Sequence, residues 1–125
     1  MNKTVLITGA SRGIGRACAR VFAGAGYAVA IHYGQREDAA RALREELLSR
    51  GCDAEIFRAD AADPAAVGDC VARAEARFSH LDALVCCAGI AQQALFTDLT
   101  DGDWRRMIDT DLGGVFAFDR AVLPG

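Results

Sequence analysis

Three glycines at fixed spacing stand where a β-branched run gives way to a helical pattern, in the segment Thr8-Gly9-Ala10-Ser11-Arg12-Gly13-Ile14-Gly15. Gly9 permits a tight turn, Gly13 lets the backbone approach a ligand closely, and Gly15 allows the helix to pack against the strand. Free backbone amides and the positive end of a helix favour phosphate groups. The spacing therefore predicts a turn that binds the pyrophosphate of a dinucleotide, and the alternative is a glycine-containing turn without a ligand.

Short apolar runs alternate with helical periods along the chain and must hold this turn in place. Strands are predicted at residues 4–8, 28–33, 54–57 and 81–86. Three helices are predicted between them, with buried faces made of Ile14, Cys18, Val21 and Phe22, of Ala40, Leu43 and Leu47, and of Val67, Cys70, Val71, Ala74 and Phe78. Gly26 and Gly51 stand at the expected ends of the first two helices, and Asp63 followed by Pro64 is typical of a helix start.

A fourth helix is predicted to begin near Thr100, and no fifth strand follows it in the sequence. Its apolar stripe consists of Trp104, Met107, Ile108, Asp111, Val115 and Phe118. Strictly alternating strands and helices indicate an α/β fold, a Rossmann-type doubly wound parallel sheet. We expect a single domain over residues 1–125, the strand order 3-2-1-4, and ligands at the carboxyl ends of the strands.

Composition excludes several classes of protein. The chain has 125 residues, of which 52% are hydrophobic and 25% charged, and this balance is typical of a globular domain. A net charge of −3 without a basic cluster argues against nucleic-acid and membrane partners. The apolar opening before Thr8 is too short for a signal sequence or a membrane span, so we expect a cytoplasmic protein.

The five cysteines and two histidines predict no metal site. The cysteines lack paired spacing and a histidine cluster, so reduced and mostly buried thiols are expected. A strained disulfide between the adjacent Cys86 and Cys87 is the less favoured alternative. His32 lies on the second strand and His80 precedes the fourth, and we expect neither to have an acidic partner that orients it toward a nucleophile, so we assign neither a catalytic role.

The glycine segment resembles the cofactor loop of the short-chain dehydrogenase/reductase family, which reads Thr-Gly-x-x-x-Gly-x-Gly. The resemblance extends through Asp60, the stretch Cys86-Cys87-Ala88-Gly89 and residues 104–116, and within the family it is greatest to 3-oxoacyl-(acyl-carrier-protein) reductases. It implies cofactor contacts from Gly9, Ser11, Arg12, Gly13, Ile14, Gly15, Asp60, Cys86, Ala88 and Gly89. Family members are commonly about twice this length, so the sequence is expected to correspond to their amino-terminal half.

Residues around the second strand favour NADP(H) over NAD(H) as the cofactor. An acidic residue closing this strand would accept bonds from a free ribose 2′-hydroxyl and repel a 2′-phosphate, but Tyr33 and Gly34 occupy the position. Arg12 supplies a cation where similar enzymes use one against the 2′-phosphate, and Arg36 is a weaker second candidate. The resemblance further implies that Asp60 accepts a hydrogen bond from the adenine amino group.

Two positions depart from the family pattern. Cys86 and Cys87 stand where the family usually has two asparagines, and thiols form much weaker hydrogen bonds than amides. Asp111 stands at the place of a catalytic asparagine that holds a water in the proton relay. An ionised aspartate accepts a hydrogen bond from that water but cannot donate one, and a carboxylate facing solvent is the alternative interpretation of Asp111.

The resemblance implies an NADPH-dependent oxidoreductase that reduces a carbonyl, with 3-oxoacyl thioesters as the leading substrate class. A weaker likeness in residues 91–93 and 96–98 points to elongation factor P 5-aminopentanone reductases, and a non-catalytic dinucleotide-binding or interaction module is the other alternative. Catalysis in the family needs a serine, a tyrosine and a lysine four residues after it, whereas the tyrosines here are Tyr27 and Tyr33 and the lysine is Lys3. We therefore expect the chain by itself to bind a dinucleotide without reducing a substrate, and to self-associate through its last helix.

Overall fold

The computed structural model describes residues 3–11, 13–87 and 100–123. Four strands and five α-helices succeed one another in this part of the chain, with one π-helical segment. The elements are β1 Thr4–Thr8, α1 Gly13–Gly24, β2 Ala28–Tyr33, α2 Glu37–Ser49, β3 Ala54–Arg58, α3 Pro64–Phe78, β4 Ala83–Cys86, α4 Asp101–Met107, the π-helical segment Ile108–Gly113, and α5 Gly114–Val122.

The four strands form one parallel sheet in the order β3-β2-β1-β4, which confirms the predicted fold class and strand order. Every residue of β1 and β2 is buried. Near the start of β1, Thr4 donates its backbone N–H to the Asp82 carboxylate at 2.7 Å, and the Asp82 N–H donates to the Thr4 carbonyl at 2.8 Å. Strand β4 begins at Ala83 and not at residue 81 as predicted, and its pairing with β1 starts at Ala83 opposite Val5.

Helices cover both faces of the sheet and divide the apolar interior into two clusters. Leu6 and Ala30 point to one face, where they pack with residues of α3 and α5. Val5 and Ile31 point to the other face, where they pack with residues of α1 and α2. Burial on both faces explains why the strands are almost uninterrupted apolar runs, since a sheet with one wet face would alternate polar and apolar residues.

The buried face of α1 differs from the prediction. Ile14 and Val21 were expected to be buried, but they are 77% and 71% exposed, and the helix buries Gly15, Ala19 and Ala23. A Cβ atom on Gly15 would lie 2.3 Å from the carbonyl oxygen of residue 9. The helix approaches the sheet so closely at Gly15 that small side chains make up its fully buried face, while Cys18 and Phe22 of the predicted stripe pack against the core at its margin.

The helix boundaries predicted from punctuation residues are confirmed. Gly26 and Gly51 follow α1 and α2 with φ angles of 91° and 81°, in the left-handed region that favours glycine. Asp63 caps α3 by accepting a hydrogen bond from the Ala65 N–H at 3.1 Å, and Pro64 is the first helical residue. The predicted buried faces of α2 and α3 are confirmed at every position.

The last predicted helix is interrupted. The π-helical segment separates α4 from α5, and its wider turns change which residues face the core. The buried residues of α5 are Gly114, Ala117 and Phe118, whereas Ile108, expected in the buried stripe, is 38% exposed. The stripe predicted on the assumption of one regular helix is therefore wrong in part; the side chains of Trp104, Met107 and Asp111 lie outside the described residues.

Substituting Gly15 tests the close approach of α1. Gly15→Ala would place a Cβ 2.3 Å from a backbone oxygen, so we expect it to lower the free energy of unfolding by about 1–3 kcal/mol, the usual cost of overpacking. Gly24→Ala is the matched control, because in the part of the chain that the structure describes no atom beyond its chain neighbours and its own helix backbone lies within 4 Å of a Cβ at that position. Urea denaturation followed by circular dichroism measures both, and equal stability of the two variants would contradict the assignment.

Candidate functional site

The carboxyl ends of the four parallel strands meet at one edge of the sheet. Gly9 follows β1, Gly34 follows β2, Ala59 follows β3 and Cys87 follows β4. The Ala59 N–H donates to the carbonyl of Tyr33 at 3.1 Å, so the two loops start side by side. In doubly wound sheets this edge is where ligands bind.

The turn between β1 and α1 has the backbone geometry that its glycines predict. Gly9 and Gly13 have φ angles of 63° and 60°, which other residues rarely adopt. Among the described residues, no atom beyond its chain neighbours and its own helix backbone lies within 4 Å of a Cβ at Gly13, so this part of the chain leaves the backbone there open to an approaching group. At Gly15, helix α1 packs directly against the turn. Ser11 is 6% exposed and Ile14 is 77% exposed, so within the motif the isoleucine side chain is available and the serine is enclosed.

His32 holds this turn from the neighbouring strand. Its ring Nδ1 accepts a hydrogen bond from the Gly9 N–H at 3.1 Å, and its backbone carbonyl accepts one from the Ala10 N–H at 3.0 Å. Its Nε2 lies 2.8 Å from the carbonyl oxygen of Ala59. The side chain is 2% exposed, and burial lowers the pKa of His32 despite the opposing effects of the Ala59 carbonyl and the Asp60 carboxylate. The sequence predicted no catalytic role for His32, and its contacts are structural and not those of an acid–base catalyst. For His80 the expectation of no acidic partner is wrong, because its Nε2 lies 3.0 Å from the Asp82 carboxylate.

Asp60 lies at the rim of the same edge. One carboxylate oxygen accepts a hydrogen bond from the Ala62 N–H at 2.9 Å, which orients the side chain within its own loop. The residue is exposed, so a ligand has access to it. The backbone of this loop also contacts α5, because a Cβ on Gly114 would lie 3.0 Å from the Ala61 carbonyl oxygen. Asp111 belongs to the π-helical segment just before this contact, and its side chain lies outside the described residues.

The two thiols after β4 have different neighbours. The Cys86 Sγ lies 3.9 Å from the Asp119 carboxylate on α5, and burial together with this carboxylate raises its pKa to about 11. The Cys87 N–H donates to the Thr8 hydroxyl at 2.9 Å, and burial and the Cys18 thiol raise the pKa of Cys87. All five cysteines are free thiols, but the expectation that they are mostly buried is wrong, because Cys70 alone among them is buried and Cys86 is exposed. With raised pKa values, neither thiol is an effective nucleophile at neutral pH.

Basic and acidic groups cluster where β2 ends. Arg58 donates from Nε to the Gly34 carbonyl at 3.3 Å, and Arg36 pairs with Asp38 at 3.3 Å. The Glu37 carboxylate accepts from the Tyr33 hydroxyl at 2.9 Å and also pairs with Arg41 at 3.2 Å. The acidic groups nearest the strand end therefore already have partners of their own.

Three of the predicted cofactor-binding residues, Arg12, Ala88 and Gly89, lie outside the described residues. Within the part of the chain that the structure describes, no group of three or more histidine, cysteine, aspartate or glutamate side chains could hold a metal ion. Among the described helices, none combines the length and apolar character needed to cross a membrane.

Known proteins that resemble this chain align with nearly all of its residues. The sequence model of the family described as short chain dehydrogenase matches residues 3–125. The chain is 38% identical over 124 residues to the 3-oxoacyl-(acyl-carrier-protein) reductase FabG of Staphylococcus epidermidis, which covers 99% of this chain and 51% of that protein. It is 36% identical over 125 residues to the acetoacetyl-CoA reductase of Paracoccus denitrificans, covering 100% of this chain and 50% of that protein. The chain thus spans about half the length of the curated relatives it matches.

Solved structures give the same result for the fold. A short chain dehydrogenase from Burkholderia cenocepacia, crystallised in complex with NADP, superposes with a TM-score of 0.94 at 36% identity, covering 98% of this chain and 50% of that one. A blue fluorescent protein from a metagenomic library, solved in complex with NADPH, superposes with a TM-score of 0.92 at 33% identity, covering 98% and 51% of the two chains.

The environment of Cys86 predicts its reactivity. Because its pKa is about 11, the thiolate fraction and hence the rate of alkylation by iodoacetamide should rise about tenfold per pH unit from pH 7 to 10. Asp119→Asn removes the carboxylate that opposes ionisation, so alkylation of Cys86 at pH 8 should become faster. Site-resolved mass spectrometry measures both rates, and a rate that levels off near pH 9 in the wild type would contradict the raised pKa.

Proposed function

Because the chain belongs to the short-chain dehydrogenase family, we propose that it is the dinucleotide-binding part of an NADP(H)-dependent carbonyl reductase. The observation that carries the proposal is the β1–α1 turn, where Gly9 and Gly13 adopt left-handed φ angles and Gly15 lets α1 start directly against the strand. Such a turn presents backbone amides and the positive helix end to a pyrophosphate. The open backbone beside Gly13 fits a group of this kind.

The residues of the chain would bind and orient the cofactor. When bound, NADPH supplies a hydride to the substrate carbonyl. The β1–α1 turn would hold the pyrophosphate, Asp60 would accept from the adenine amino group, and the backbone after Cys86 would line the cofactor. Asp111 would act at the family's asparagine position, where it can accept a hydrogen bond from a water.

A preference for NADP(H) is supported by the groups around the end of β2. The strand closes with Tyr33 and Gly34, neither of which carries a carboxylate that would repel a 2′-phosphate, and the nearby Glu37 carboxylate is paired with the Tyr33 hydroxyl and Arg41. The guanidinium of Arg58 reaches the Gly34 carbonyl, and Arg36 is more than half exposed beside it. Arg12, from the glycine turn, is proposed to supply the principal cation.

The proposed substrate class is a 3-oxoacyl thioester. It is supported by the names of the relatives from Staphylococcus epidermidis and Paracoccus denitrificans, both of which are reductases of 3-oxoacyl thioesters. An elongation factor P 5-aminopentanone reductase is the substrate alternative, and the residues that suggest it, 91–93 and 96–98, lie outside the described residues.

A non-catalytic dinucleotide-binding module is the second candidate. It is favoured by Cys86 and Cys87, whose protonated thiols replace amide side chains at the end of β4. The source DNA beyond the codon for Gly125 distinguishes the two candidates. An in-frame serine followed by Tyr-x-x-x-Lys supports the reductase, whereas a stop codon supports the binding module.

Titration calorimetry tests the proposed cofactor. We expect NADP⁺ to bind more tightly than NAD⁺, and Arg12→Ala to weaken NADP⁺ binding by about 1–3 kcal/mol, the scale of a lost charge-assisted contact, with little effect on NAD⁺. Arg16→Ala is the matched control, since Arg16 is an exposed arginine on α1 just beyond the glycine motif. NAD⁺ binding as tightly as NADP⁺ would refute the preference, and no binding of either would refute the proposed function.

We also propose that the chain associates with a second copy of itself. Leu112, Phe116 and Leu123, in and beside α5, are 65%, 59% and 81% exposed. The helix packs on α3 and the sheet face, and among the described residues no strand pairs with the outer edge of β4. Exposed apolar residues beside an unpaired strand edge are typical of an interface.

Light scattering at micromolar concentration tests this association. The wild type is expected to scatter as a dimer or larger species, and Phe116→Lys to shift the population toward the monomer. Val21→Lys is the control, because Val21 is equally apolar and 71% exposed but lies on α1. A monodisperse monomer of 13.2 kDa for the wild type would show that the chain does not self-associate.

A further inference from the structure

His32 connects two loops that follow different strands. Its ring lies at the penultimate position of β2, is 2% exposed, and bonds through both nitrogens to backbone atoms. Nδ1 lies 3.1 Å from the Gly9 nitrogen in the β1–α1 turn, and Nε2 lies 2.8 Å from the Ala59 oxygen, one residue before Asp60. The ring therefore spans the distance between the proposed pyrophosphate turn and the proposed adenine loop.

The two partners determine which nitrogen carries the ring proton. The Gly9 N–H is a donor, so Nδ1 must be unprotonated to accept from it. The neutral ring then carries its hydrogen on Nε2, which donates to the Ala59 carbonyl. A protonated ring would direct an N–H at the Gly9 N–H and leave that partly buried amide without its acceptor, which is costly.

The same residue fixes two consecutive amides of the glycine turn. Besides the ring contact with Gly9, the His32 carbonyl accepts from the Ala10 N–H at 3.0 Å. The hydrogen bond from the Ala10 N–H to the His32 carbonyl involves no side-chain atom and therefore persists when residue 32 is substituted. The hydrogen bond from the Gly9 N–H depends on the ring. Gly9 has a φ of 63°, so its amide needs a specific orientation, and the ring acceptor supplies it.

From these contacts we propose that His32 is a positioning residue: its neutral ring couples the β1–α1 turn to the Asp60 loop and makes dinucleotide affinity dependent on pH. The proposal rests on the proposed function, because the turn and the loop are assigned there to the pyrophosphate and the adenine. It requires no contact between His32 and the cofactor. The ring acts through the two backbone segments that it joins.

The surroundings of the ring determine the direction of the pH effect. Asp60, after β3, is the charged group that favours protonation, α5 contributes the uncharged Phe118 ring at 5.0 Å, and β1 contributes the backbone of Gly9. Burial outweighs Asp60 and lowers the pKa of His32 below its ordinary value. The neutral ring therefore predominates at neutral pH, and its contact with Gly9 is lost as the pH falls through the lowered pKa.

Two substitutions separate the ring acceptor from the ring charge. In His32→Asn, the side-chain oxygen takes the place of Nδ1 and accepts from Gly9, but the amide does not titrate and is too short to reach Ala59. In His32→Leu, no acceptor remains at any pH. Circular dichroism and urea denaturation at pH 8 establish that each variant is folded before binding is measured.

The test is the dissociation constant of NADP⁺ between pH 8 and pH 5, measured by calorimetry. The ratio of the wild-type constant to that of His32→Asn cancels the titration of the ligand phosphate. We expect this ratio to rise about tenfold as the wild-type ring becomes protonated, the scale of one lost hydrogen bond. At pH 8, His32→Leu should bind about tenfold more weakly than the wild type. A ratio that stays constant while ring NMR shows that the wild-type ring becomes protonated, or wild-type affinity in His32→Leu, would overturn the proposal.

A second readout separates this proposal from the proposed function. Ring ¹⁵N NMR of the wild type without ligand should show a hydrogen on Nε2 and none on Nδ1 at pH 8, and the Gly9 amide resonance should shift with the titration of the ring. If NADP⁺ does not bind at pH 8, the proposed function fails and the affinity effect fails with it. If NADP⁺ binds but the ring carries its hydrogen on Nδ1, the proposed function stands and the role of His32 is refuted.

Discussion

The site depends on the contact between α1 and the turn that precedes it. With no side chain at Gly15, the helix lies against the carbonyl of Gly9, where even a methyl group would be 2.3 Å from the oxygen. This contact directs the amino end of α1 at the edge where all four strands finish. It also explains the small residues on the buried face of the helix, because a helix held this close to a sheet has no room for larger ones. The electrostatic field of the helix end is thereby placed where a phosphate would bind.

Hydrophobic periodicity predicted the helices that lie at an ordinary distance from the sheet. In α2 and α3 the apolar stripe and the buried face are the same residues, since large side chains are needed to fill the space between helix and sheet. The rule was wrong in part for α1, where close packing buries glycine and alanine, Cys18 and Phe22 are partly buried, and Ile14 and Val21 are exposed. It failed again at the π-helical segment, because a period of 3.6 residues cannot represent a wider turn.

The candidate site was predictable where it is contiguous in sequence. The glycine turn is one segment of eight residues, so its spacing could be recognised from the sequence. The role of His32 depends on Gly9 and Ala59, which are 23 and 27 residues away in the chain, and only the pairing of three strands brings them together. The one available signal was a polar residue near the end of a wholly apolar strand. A buried histidine there needs partners for both nitrogens, and strand ends offer backbone groups that can satisfy them.

The separation of the interior into two clusters has a consequence for how the sequence can change over evolution. The clusters have no residue in common, and the sheet backbone lies between them. A substitution at Leu47 alters packing under α1 and α2, while one at Val67 alters packing under α3 and α5. Residues without shared partners affect stability independently. The two clusters can therefore accumulate substitutions separately, and a change on one face needs no compensating change on the other. Only the backbone of the strands and the edge where they end constrain the sequences of both faces together.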